Sequence, residues 1–133
     1  MSNMAAMRKP SSNQLTRTAA LDCVPVKNSR VITRRMENGL VRITYPATQN
    51  TWFAKLANVF ARKAPDRVFV RKLELDHLGT SVWHMIDARQ SVQTIIRHFA
   101  AAQQLSSREA EVSVTQFLRE LGRRGIIGMR QAP

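Results

Sequence analysis

Three kinds of side chain in this chain could do chemistry: the lone Cys23, the histidines His77, His84 and His98, and the aspartates Asp76 and Asp87. His77 and His84 lie seven residues apart, two helical turns, so a helix would carry both on one face. That is half of a metal site. No third ligand follows at a suitable spacing, so solvated or core-edge histidines are the simpler reading and no metal is expected. Cys23 would be a nucleophile only beside a base or a positive charge that lowers its pKa. Asp76 and Asp87 flank one candidate helix, and helix capping accounts for Asp76 without catalysis. Gly-rich phosphate loops, paired His-Glu motifs and Cys clusters are missing. An enzyme is therefore the least favoured class, and no cofactor is expected.

The charge is more informative. The 133 residues carry 21 Lys or Arg against 9 acids, a net charge of +12. Residues 1–72 hold 14 of the basic residues and only Asp22, Glu37 and Asp66. Such an excess favours acidic partners: nucleic acid, an anionic membrane surface, or an acidic peptide. One cysteine excludes an internal disulfide framework. No apolar run approaches the roughly 18 residues needed to span a bilayer, and the N-terminus lacks the apolar stretch of a secretory signal. With 44% hydrophobic residues a core is affordable in one domain. The expectation is a soluble, cytoplasmic, single-domain protein.

Elements must then position whatever the chain binds. Residues 1–20 are small and polar, with Arg8, Lys9 and Arg17 and no acid, which predicts a disordered basic tail. The domain is expected over 21–130. Residues 29–35 and 40–45 are β-branched runs separated by Glu37-Asn38-Gly39, a hairpin signal, and Pro46 ends the second strand. Residues 51–63 place Trp52, Phe53, Leu56, Val59 and Phe60 at helical spacing beside Lys55, Arg62 and Lys63. They predict a basic amphipathic helix within an insertion over 47–66. Residues 67–75 read as a third strand. Phe69, Leu73 and Leu75 share one face with Arg71; Val68, Val70, Lys72 and Glu74 share the other. The charged interruption suits an edge strand.

Three helices follow. Asp76 caps the first, which runs to about residue 87 and is expected to bury Leu78, Val82, Trp83, Met85 and Ile86. Ser91 caps the second, with Val92, Ile95, Ile96 and Phe99 apolar. Ser106 and Glu109 form a capping-box pattern for the third, whose stripe is Val114, Phe117, Leu118 and Leu121, and Gly125 marks its end. Ile126-Ile127 adds a last apolar contact. The expected fold is α+β and winged helix-turn-helix-like: a three-stranded antiparallel sheet, then three helices, with one inserted amphipathic helix.

Within residues 73–127 the order of motifs resembles the PqqD family of peptide-recognition proteins. Leu75, Asp76, Gly79 and Trp83 match its Leu-Asp-x-x-Gly start and following Trp. Ile86-Asp87, Ser91-Val92, Phe117-Leu118, Leu121 and Gly125 match its later positions. Ala88 departs from it, standing where glycine is usual, and the segment 47–66 is longer than a minimal member has. The resemblance implies a protein that binds the leader part of a ribosomal precursor peptide as an extra strand. Affinity would come from backbone hydrogen bonds and selectivity from alternating pockets. The peptide-binding residues it implies are Arg67, Val68, Phe69, Val70, Arg71, Lys72 and Leu73 on the third strand, with Val114, Phe117, Leu118 and Leu121 on the last helix. Its implied partner is a peptide-modifying enzyme, often of the radical S-adenosylmethionine type.

The apolar members of that set could equally fill the core; Arg71, Arg119 and Arg123 are the ones no core requires. Two other uses compete. A winged-helix DNA binder would read with residues 107–124, yet there Arg108, Arg119, Arg123 and Arg124 face Glu109, Glu111 and Glu120, a nearly neutral helix and a poor ligand for phosphates. Helix 51–63 could dock on an anionic membrane, although packing on its own sheet or on a second copy is simpler. An edge strand of this kind also leaves a homodimer by strand exchange open.

Overall fold

The computed structural model describes residues 16–47 and 70–132. The element order is α1 (Arg17–Asp22), β1 (Val24–Lys27), β2 (Ile32–Arg35), β3 (Val41–Pro46), β4 (Val70–Glu74), α2 (His77–Met85), α3 (Val92–Gln103), α4 (Ser107–Arg123) and β5 (Ile127–Arg130). The architecture is α+β: an antiparallel sheet ordered β2-β3-β4, then three helices, in winged-helix-like order. The inserted helix expected over 51–63 lies outside the described residues, as do Arg67, Val68 and Phe69 at the start of the third strand.

Local chemistry explains where the elements begin and end. The β2–β3 hairpin closes where Met36 N–H donates to the Leu40 carbonyl at 2.7 Å, with Gly39 at φ +85°. A side chain would be strained there, which is why Asn-Gly marks the turn. Asp76 accepts from the Gly79 amide at 2.7 Å and caps α2. Ser91 accepts from the Thr94 amide and caps α3. At α4 the capping box is complete: the Ser106 hydroxyl takes the Glu109 amide, and the Glu109 carboxylate takes the Ser106 amide. Each cap satisfies amides that a helix start leaves bare, and Ser or Asp there is worth about 1 kcal/mol. Gly125, at φ +77°, follows the end of α4.

Ala88 is a different case. It occupies φ +65° in the turn between α2 and α3. The turn keeps its left-handed residue although no glycine is present. Asp87 holds the turn, its Oδ1 accepting from the Arg89 and Gln90 amides at 2.9 and 2.8 Å.

The core lies between the inner sheet face and the helices. β3 buries Val41, Ile43 and Tyr45 at alternate positions, as a half-buried strand must. Against them pack Trp83, Ile95, Phe99, Val114, Leu118, Leu121 and Ile126. Thr80, the one buried polar residue among those described, accepts from the Val41 amide at 3.2 Å and fastens α2 to β3.

The N-terminal segment departs from expectation. Residues 17–20, within the expected tail of 1–20, belong to α1. Thr16 caps the helix, Leu21 is buried, and Arg17 Nε donates to Glu111 on α4 at 2.8 Å. A second, two-stranded sheet also forms: β1 pairs antiparallel with β5, Val24 opposite Arg130 and Lys27 opposite Ile127. Both strands are short, and nothing near either in sequence announces a partner about a hundred residues away. Lys27, half-buried at this junction, sets its ammonium 4.2 Å from the centroid of the Trp83 ring. Burial lowers its pKa, against the opposing pull of Asp87.

Candidate functional site: the β4 edge and its groove

β4 pairs with β3 on one side, Ile43 opposite Leu73 and Tyr45 opposite Arg71. No strand among the described residues pairs with its other side. Its amides and carbonyls there form a row open to a further strand. The two faces of β4 differ. Val70, Lys72 and Glu74 point away from the core, and Glu74 pairs with Arg42 across the strands at 2.7 Å. Arg71 and Leu73 lie on the inner face, the face that meets the helices; Leu73 is half-buried against the core and Arg71 is exposed.

Next to the residues that follow β4, the three C-terminal helices enclose a depression of about 330 Å³. Asp76, then Leu78, Gly79 and Val82 of α2, Phe99 of α3, and Ser113, Gln116 and Phe117 of α4 line it. Gly79 is required by the close approach of Phe117. A Cβ there would stand 3.1 Å from Phe117 Cε1 and 3.2 Å from Asp76 Oδ1, so one of them would have to give way. The Phe117 ring thus rests on the start of α2, beside Leu75, and forms one wall of a mainly apolar hollow next to the end of β4.

The structure separates the residues expected to bind. Val70, Arg71, Lys72 and Leu73 are on β4, and Phe117 lines the hollow beside Gly79 and Asp76, next to the end of that strand. Val114, Leu118 and Leu121 are not: they are at most 2% exposed and fill the core beneath the sheet, with no surface for a ligand. One stripe of α4 packs inward, and the next row round the helix, Ser113 and Phe117, faces the groove. Leu78, expected to be buried, is 45% exposed at its rim, and Met85 is only half-buried. Gly79, Ser113 and Leu78 were not singled out as site residues. The available signals were the glycine three residues after a capping aspartate and the polar-aromatic row beside the buried stripe of α4.

Some of the charges near the groove are engaged. Glu120 on α4 pairs with both Arg123 and Arg124. Arg124 also donates to the hydroxyl of buried Tyr45 at 2.9 Å, joining the end of α4 to β3. Among the described residues Arg71 makes no ion pair. His77, His84 and His98 are all exposed. No three potential metal ligands come together among the described residues, and no described helix is long and apolar enough to cross a membrane.

Residues 68–127 match the family model described as Coenzyme PQQ synthesis protein D (PqqD). No curated protein and no solved structure matches the chain.

Proposed function

We propose, from the match of residues 68–127 to the PqqD family model, that this protein binds a ribosomally made precursor peptide along β4 and presents it to a modifying enzyme. The observation that carries the reading is the pairing of an open strand edge with a mainly apolar hollow next to its end. Such an edge supplies main-chain hydrogen bonds, and the hollow supplies a place for a side chain. The role is one of binding rather than catalysis, and the enzyme it serves would be of the radical S-adenosylmethionine type. The excess of basic charge speeds encounter with an acidic leader without choosing among leaders.

The nucleic-acid alternative draws less support. On α4, the helix that would read bases, Arg123 and Arg124 are engaged by Glu120, which leaves only Arg108 and Arg119 exposed without an ion pair among the described residues. The pairing with Glu120 leaves less free charge on this helix for phosphates.

The test begins with affinity purification of the tagged protein from its host, with mass spectrometry of bound peptides and a nuclease-treated control. A short ribosomal peptide recovered in this way is then titrated into the labelled protein and followed by NMR. Shifts at 70–73 and at Phe117 are expected. A saturating peptide that leaves 70–73 unmoved would exclude strand addition there. Partners lost on nuclease treatment would move the nucleic-acid reading ahead.

A further inference from the structure

The groove has two unlike ends, and β4 sets the distance between them. At one end the hollow of Leu78, Gly79, Val82 and Phe117 opens beside Leu75. At the other end, on the same inner face of the strand, stands Arg71. Leu75 and Arg71 are four residues apart, so they share a face with Leu73 between them. A strand laid on the open edge of β4 would set its own residues opposite these, its inward side chains on the same face. One would lie over the hollow, and the residue four positions away would lie beside Arg71.

What sets Arg71 apart is its place on the inner face of β4; several other exposed arginines, Arg119 among them, also make no ion pair among the described residues. Arg42 is held by Glu74, Arg17 by Glu111, and Arg123 and Arg124 by Glu120. Arg71 is exposed, sits opposite Tyr45 in the β3–β4 register, and makes no ion pair among the described residues. Tyr45, a neutral phenol, supplies no countercharge to it. A guanidinium in this setting, forked and permanently charged, recognises a carboxylate.

We propose that the groove selects peptides by two side chains separated by three residues: a large apolar one seated against Phe117 and Gly79, and an Asp or Glu held by Arg71. The inference rests on peptide binding along β4. It adds which peptides are chosen and names Arg71 as the residue that sets the acidic position. The order of the two side chains in the peptide reports the direction of the added strand.

A displayed library of random twelve-residue peptides, selected against the full chain, tests this directly. The wild type is expected to enrich an apolar residue and an acid at that spacing, with the acid favoured over Lys at its position by about tenfold. R71E is expected to reverse that choice to Lys or Arg at the same position while keeping the apolar one. F117A is expected to relax the apolar position and keep the acid. Arg71 is exposed and Phe117 half-buried, so both variants should fold, and their thermal melts are measured alongside. Enriched peptides that shift β4 resonances but lack an acidic position, or whose acid is indifferent to R71E, would overturn the two-point selection and leave peptide binding intact. A library giving no peptide that shifts residues 70–74 would overturn both.

Discussion

Single residues in this protein show how tertiary context overrides a local preference. Ala88 is in the left-handed region, where its Cβ crowds the backbone at a cost of about 1–2 kcal/mol. The turn is held there by the Asp87 carboxylate on the Arg89 and Gln90 amides, and Arg130 donates to the Ala88 carbonyl. Glycine would remove the strain while giving back part of the gain in unfolded-chain entropy. Ala88→Gly is expected to stabilise the protein by about 0.5–1 kcal/mol, read as a higher urea midpoint with an unchanged slope. Gly79 presents the opposite case: it lies in a helix, and its missing Cβ leaves room for Phe117.

At the scale of elements, α4 carries two rows of side chains with different duties. Val114, Leu118 and Leu121 are buried and belong to folding. Phe117 sits one step round the helix, half-buried, and belongs to the groove. Truncating the two rows should therefore have different consequences. Leu118→Ala is expected to cost about 2–5 kcal/mol of stability, the range for a buried leucine whose site cannot fully collapse. Phe117→Ala should cost less stability and weaken peptide binding more. Chemical denaturation and isothermal titration with one peptide, run on both variants, check the contrast. Equal stability losses with equal affinity losses would mean the rows are not separable. The strands follow the same logic. The alternation of β3 is clear because one face is covered by helices. β4 is mixed: no described strand covers its outer edge, and it carries Arg71 and Lys72.

Across the whole molecule, chain ends that are far apart in sequence hold the helices together. β1 pairs with β5, Asn28 Nδ2 donates to the Gly125 carbonyl at 3.0 Å, and Arg17 on α1 reaches Glu111 on α4. The family match begins at residue 68, so these N-terminal contacts extend the folded unit beyond it. Acid should loosen this assembly. Hydrogen bonds from Gln90 and Arg89 hold the Asp87 carboxyl below its ordinary value, those from Ser106 do so for Glu109, and Arg17 does so for Glu111. A carboxylate whose folded pKa lies below its unfolded value adds stability that is full above the unfolded value and is lost as pH falls through the folded one. The urea midpoint is therefore expected to be level above about pH 5 and to fall below about pH 4. Glu109→Gln and Glu111→Gln should each flatten that decline. A midpoint unchanged down to pH 3 would show that these carboxylates are not linked to folding.

What the sequence by itself determined was local. Asp76, Ser91, Ser106 with Glu109, and Gly125 set the helix limits because a cap and the amides it satisfies lie within one turn of each other. The Asn-Gly hairpin was legible for the same reason, and the order of motifs from Leu75 to Ile127 pointed to the family. The tertiary structure decided whatever depends on residues distant in the chain. It paired β1 with β5, which are too short and plain to announce each other, and it made residues 17–22 a helix that buries Leu21 on the C-terminal helices. It also divided the apolar stripe of α4 into core and groove. Periodicity shows which residues share a helix face; which of them reach solvent depends on where the neighbouring elements stop. At Phe117 that limit is set by Gly79, a residue whose contribution is the side chain it lacks.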